Sequence, residues 1–132
     1  MTAEDNKTVL RRLAQAFNTR NLHAFEELFS PHFVLHDPNQ SEWPYGREGA
    51  RQRWTAMLTA APDLQVTIED LFSEGDKVAV RWTFRGTGHE GQPSTNQPST
   101  AVSLAIYRIV NGKIAEDWGL ALARSQTNIS WE

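Results

Sequence analysis

The 132-residue chain contains no cysteine. That excludes disulfide stapling, thiolate nucleophiles and cysteine metal sites, although it does not by itself assign a compartment. No apolar run approaches the roughly 20 residues a membrane-spanning helix needs. The opening stretch "MTAEDNKTVLRR" lacks the cationic segment and apolar run of a secretory signal, so a cytoplasmic location is expected. Net charge is small, −3, with Lys and Arg scattered along the chain. No basic patch points to nucleic acid, no cationic amphipathic stretch points to a membrane surface, and neither partner is expected. Arg11-Arg12 and the group Arg47, Arg51 and Arg53 read as solvated helix faces. Phosphate-cradling and dinucleotide fingerprints are missing: Gly86-Thr87-Gly88 lacks the strand-to-helix setting they require, so no nucleotide cofactor is expected. Metal is not expected either. His32 and His36 are four apart in an extended run, roughly 13 Å, too far for one zinc ion. His23 and His89 are likewise not expected to hold a metal.

What is present is the balance of one globular domain, taken as residues 1–132: 39% apolar residues, 22% charged, five Trp and six Phe. Thr2 and Asp5 form a capping pair, and Val9, Leu10, Leu13, Ala14 and Phe17 then recur at three- and four-residue spacing, predicting a helix over 3–19. Asn21 caps a shorter helix carrying Leu22, Phe25, Leu28 and Phe29, ended by Pro31. "HFVLHD" reads as a strand stopping at Pro38. A third helix carries Ala50, Trp54, Met57, Leu58 and Ala61 on one stripe and closes at Pro62. From Leu64 the period changes to two: "LQVTIEDLFSEG", "KVAVRWTFRGT", "TAVSLAIYRIV" and "KIAEDWGLALA" alternate, with turns at Gly75-Asp76 and Asn111-Gly112. Helices first and strands afterwards predict an α+β fold in which helices pack on one face of a curved, mostly antiparallel sheet.

The run His36-Asp37-Pro38, Gly46-Arg47-Glu48-Gly49 opening a helix, Pro62-Asp63-Leu64, Glu69-Asp70-Leu71, Gly75-Asp76, Val80-Arg81-Trp82, Gly86-Thr87, Tyr107-Arg108 and Gly112-Lys113-Ile114 with Glu116 and Trp118 resembles the SnoaL-like polyketide cyclases of the nuclear-transport-factor-2-like superfamily. The resemblance spans residues 8–120. It implies a cone of about three helices closed by a strongly curved sheet, a homodimer formed through that sheet, and an interior pocket for a small hydrophobic ligand. It does not fix the reaction, because the superfamily hosts cyclases, isomerases, dehydratases, epoxide hydrolases and non-catalytic members. The chain also departs from the cyclase pattern: Gly119 rather than an acidic residue follows Trp118, and Pro98-Ser99-Thr100 lacks the family's glycine.

In the last strand strict alternation groups Ile114, Glu116, Trp118 and Leu120 on one side and Ala115, Asp117, Gly119 and Ala121 on the other. The second set is small apart from its carboxylate, which would sit in space its neighbours leave and act as a general base. The alternatives are an exposed edge, or Glu116 as the inward group. Of His36 and Asp37 only one can face inward, and the resemblance favours His36, bonding a substrate oxygen or shuttling a proton. Arg81, if buried, would partner Asp117 or a substrate carboxylate; if exposed it is ordinary. Trp54, Trp82, Tyr107 and Trp118 line a pocket or fill a core, while Trp43 and Tyr45, on a Pro-bearing loop, form a lid or a dimer contact. The expected activity is cofactor-independent acid/base catalysis on a hydrophobic carbonyl compound, of the intramolecular aldol type. The alternatives are a non-catalytic binding or dimerisation module, or isomerisation or epoxide opening in the same pocket.

Overall fold

A computed structural model describes residues 2–36, 46–87 and 99–125, without the side chains of residue 99 and residues 120–125. Helix α1 (Ala3–Asn18) starts in a complete capping box: the Asp5 backbone N–H donates to the Thr2 hydroxyl and the Thr2 N–H to the Asp5 carboxylate, both at 3.0 Å. Those bonds hold the Asp5 carboxyl below its ordinary range. Helix α2 (Leu22–Glu27) is capped by the Asn21 side chain, which accepts from the Ala24 N–H. Strand β1 (Phe29–Leu35), helix α3 (Gly46–Ala60) and strands β2 (Gln65–Glu74), β3 (Lys77–Gly86), β4 (Ser99–Val110) and β5 (Lys113–Ser125) complete the order.

The five strands form one curved sheet in the order β1-β5-β4-β3-β2, antiparallel except for β1 against β5. Both two-residue turns stand where the sequence places them. At the second, Asn111 (φ 52°) and Gly112 (φ 76°) are both left-handed, the combination whose twist suits a hairpin. Sequence reading carries α2 through Phe29. In the structure α2 ends at Glu27, and Phe29 already belongs to β1, whose Pro31 is tolerated because β1 lies at the sheet edge.

The helices cover one face of the sheet. Leu10, Val78, Val80 and Ile114 are sealed from water. Phe17 and Phe25 pack on Trp54 with ring centroids 5.1 and 4.4 Å away, and Phe29 joins Phe25 to Phe33, so one aromatic chain ties α1, α2, α3 and β1 together. Asn18 exchanges two 2.8 Å bonds with the backbone of Val66, pinning the end of α1 to β2. Helix α3 packs against β1, the neighbour of β5. At its start Gly46 (φ 77°) comes so close to β1 that a Cβ there would lie 2.2 Å from the Pro31 carbonyl oxygen.

Candidate functional site

Register decides which residues of β5 face the helices. Asp117 stands opposite Tyr107 of β4 and Leu35 of β1, and Gly119 stands opposite Ala105. Tyr107 and Ala105 are buried with Val78, Val80 and Trp82 on the inward face. Asp117 therefore points inward, with its Oδ1 sealed from solvent. Gly119 makes room for it: a Cβ at that position would meet Asp117 Oδ1 at 3.1 Å and the Ala105 methyl at 3.7 Å. The small residues beside the carboxylate thus have a steric meaning.

Strict alternation fails at two places in β5, one beyond the site where Val102 pairs with Ala123 and Ser103 with Ala121, and one beside Asp117. Arg108 pairs with Glu116 and Ile109 with Ile114, which leaves Ala115 as the extra residue of a β-bulge. The bulge turns Ile114, fully buried, to the same face as Asp117, correcting the grouping that strict alternation gives.

Tyr107 is the polar neighbour of Asp117. Its hydroxyl accepts a 2.9 Å bond from the Trp82 indole N–H, both groups being buried. Burial raises the phenol well above its ordinary value of 10.0, and the negative charge of Asp117 raises it further. The Trp82 bond and the Arg53 cation pull the other way without prevailing. Tyr107 is therefore a neutral phenol, and among the described residues nothing accepts its proton. The pair offers a carboxylate able to take a proton and an O–H able to stabilise negative charge.

Arg53 is the residue that sequence reading misses. Taken with Arg47 and Arg51 it looks like a solvated helix face, and Arg51 is indeed exposed, reaching Glu26 and Glu48. Arg53 is half-buried, its Nη1 is closed to solvent, and its charge reaches the Tyr107 hydroxyl. The sign was present in the sequence, since position 53 lies three after Ala50 and four before Met57, at the border of the apolar stripe.

Three expected site residues lie on the other face of the sheet. His36 follows Leu35, which is level with Asp117, so its side chain projects outward: its Nε2 meets Glu116 Oε1 at 3.0 Å and its ring stacks 5.0 Å from Trp118. Glu116 also receives a bond from Arg108, and Arg108 first and His36 second hold its carboxyl below the ordinary 4.5. Trp118 is exposed beside His36 and lines no interior. Arg81 is exposed too, bonded at 2.6 Å to Asp70 across the β2–β3 ladder and not to Asp117. Trp54 belongs to the aromatic core between the helices, whereas Trp82 and Tyr107 face inward beside Asp117. Trp43 and Tyr45 lie outside the described residues.

The model of the family described as SnoaL-like polyketide cyclase matches residues 7–121. Among solved structures, IdmH from Streptomyces antibioticus is 32% identical with a TM-score of 0.75, over 88% of this chain and 91% of that one. TsrD from Streptomyces laurentii is 23% identical with a TM-score of 0.79, over 92% and 90%. A protein of Catenulispora acidiphila with a ketosteroid isomerase-like fold is 20% identical with a TM-score of 0.70, over 85% and 83%. Among curated proteins no relative matches the chain.

Proposed function

Since the chain belongs to the SnoaL-like polyketide cyclase family, we propose that it is a cofactor-independent enzyme of the cyclase and isomerase type, acting on a hydrophobic carbonyl compound held between the helices and the inward face of the sheet. The observation that carries this reading is the inward carboxylate of Asp117, its Oδ1 out of solvent beside Gly119 and level with Tyr107.

In the first step Asp117 takes a proton from the carbon α to a carbonyl, and the electron pair moves onto the carbonyl oxygen. The Tyr107 O–H donates to that oxyanion, in the role that His36 and Arg81, on the opposite face, are not placed to fill. In the second step the α-carbon attacks another carbonyl of the same molecule, a carbon–carbon bond forms, and the new alkoxide recovers the proton from Asp117. Returning the proton to a different carbon instead gives isomerisation, with the same two groups in the same roles.

The same proposal includes a cytoplasmic homodimer joined through the outer sheet face. Pairing aligns Phe72, Ala79, Ile106 and Trp118 in one row across β2, β3, β4 and β5, with Leu104 and Val110 exposed beside it. The adjoining charges are already neutralised within the chain, Arg81 by Asp70 and Arg108 by Glu116, so two copies can meet without uncompensated charge.

Proton abstraction can be tested without the natural substrate. With 1-phenylbutane-1,3-dione in deuterium oxide, the wild-type protein is expected to accelerate α-hydrogen exchange above buffer, and Asp117→Asn to lower that acceleration by about 10²- to 10⁴-fold while the fold survives. Exchange at the wild-type rate in Asp117→Asn, or no acceleration by the wild type, favours a pocket that only holds its ligand.

A further inference from the structure

We infer that Arg53 is the anion-receiving group of the interior site, and that the compound bound there carries a negatively charged oxygen, a carboxylate or a phenolate, on a flat apolar body. This rests on the reading of the inward face as a ligand site and extends it to the chemical class of the ligand.

Arg53 is unusual among the described arginines. Arg20 donates to the carbonyls of Phe17 and Pro62, Arg47 to that of Phe29, and Arg11, Arg51, Arg81 and Arg108 are paired with carboxylates. Arg53 makes no hydrogen bond or ion pair among the described residues, and whereas Arg12 and Arg85, which make none either, are exposed, its Nη1 is shut off from solvent. A guanidinium nitrogen withdrawn from water without an acceptor is costly, and folded proteins retain few such groups unless something else satisfies them. The side chain had a cheaper course, since α3 offers an exposed face one residue away, where Gln52 bonds Glu48. Its charge instead reaches the buried Tyr107 hydroxyl, the atom that Asp117 also influences.

Those three groups divide the labour of binding. The planar fork of an arginine matches the two oxygens of a carboxylate or a phenolate–carbonyl pair. An anionic oxygen is drawn to the Arg53 cation and repelled by the Asp117 carboxylate, the two charges that act in opposite senses on Tyr107. Trp82 and Phe84, with ring centroids 6.2 Å apart, supply the apolar surface on the same inward face. The site thus selects one orientation, with the acidic end toward α3 and the carbon skeleton toward β5.

The test compares 2-naphthoate with its neutral isostere 2-naphthamide, by calorimetry and quenching of tryptophan fluorescence. The wild-type protein is expected to bind naphthoate at least about tenfold more tightly than the amide. Arg53→Gln should lose that preference by weakening naphthoate alone, and Arg53→Lys, which keeps the charge without the fork, should retain part of it. Should Arg53→Gln fail to fold, the wild-type preference and the Arg53→Lys variant still decide. Equal affinity for the two probes, naphthoate binding unchanged in Arg53→Gln, or binding of neither probe at millimolar concentration overturns the assignment. Asp117→Asn separates this inference from the catalytic one: it should abolish α-hydrogen exchange yet leave the naphthoate preference intact or increase it, since a repelling charge is gone.

Discussion

Glu116 and Asp117 are chemically close and adjacent in sequence, yet the sheet gives them different surroundings. Glu116 projects outward to Arg108 and His36, which favour its ionised form; Asp117 projects inward beside Gly119 and Tyr107. Sequence reading left open which of the two enters the interior, because alternation assigns opposite faces without saying which face is covered. The buried partner Tyr107 settles it. Tyr107 itself supplies a prediction. Its folded-state value lies above the unfolded one, so the stability contributed by the neutral phenol is fully present below about pH 10 and lost as pH rises through the raised value. Of the two tyrosines in the chain, Tyr107 should give no phenolate absorbance in a titration through pH 10 and should ionise only with unfolding. Tyr107→Phe should abolish that late step and destabilise the protein by about 1–3 kcal/mol, because the Trp82 indole N–H is left buried without its acceptor.

The strands from β2 onward were legible because each is a local alternation, and β2 and β4 end in turns whose residues announce them, as Asn111 and Gly112 do with their positive φ. The features that fix the site were less legible because they are not local. The bulge at Ala115 exists only as a mismatch with Ile109 and Arg108, and the outward course of His36 follows from the parallel pairing of Leu35 with Asp117, 82 residues later in the chain. Arg53 was readable in part from its place at the border of the α3 stripe, but a run of arginines at helical spacing reads first as a wet face. The approach of α3 to β1 is equally non-local and depends on Gly46. Gly46→Ala would place a methyl 2.2 Å from the Pro31 oxygen in a left-handed backbone. The backbone conformation alone should cost about 1–3 kcal/mol, and the collision adds to that. Chemical denaturation of the variant checks this, with Gly75→Ala, at φ 59° but with open space around it, reporting the backbone share alone.

At the scale of the molecule, the sheet separates two jobs. Its inward face holds Asp117, Tyr107 and Trp82 under the helices, and its outward face presents Phe72, Leu104, Ile106 and Trp118. If the outward row joins two copies, sedimentation should give a wild-type mass near twice 14.9 kDa. Ile106→Glu, at the middle of the row, should shift it to the monomer with the fold retained. Sedimentation of the wild type as a monomer at micromolar concentration contradicts the dimer. The central claim concerns the other face: one carboxylate and one phenol act together on a single bound carbonyl group. A double-mutant cycle on α-hydrogen exchange of 1-phenylbutane-1,3-dione tests it most directly, using Asp117→Asn, Tyr107→Phe and the two combined. Each single variant should lose exchange, and the double should lose little more than Asp117→Asn does. Independent losses that simply multiply, or wild-type exchange in either single variant, would contradict it.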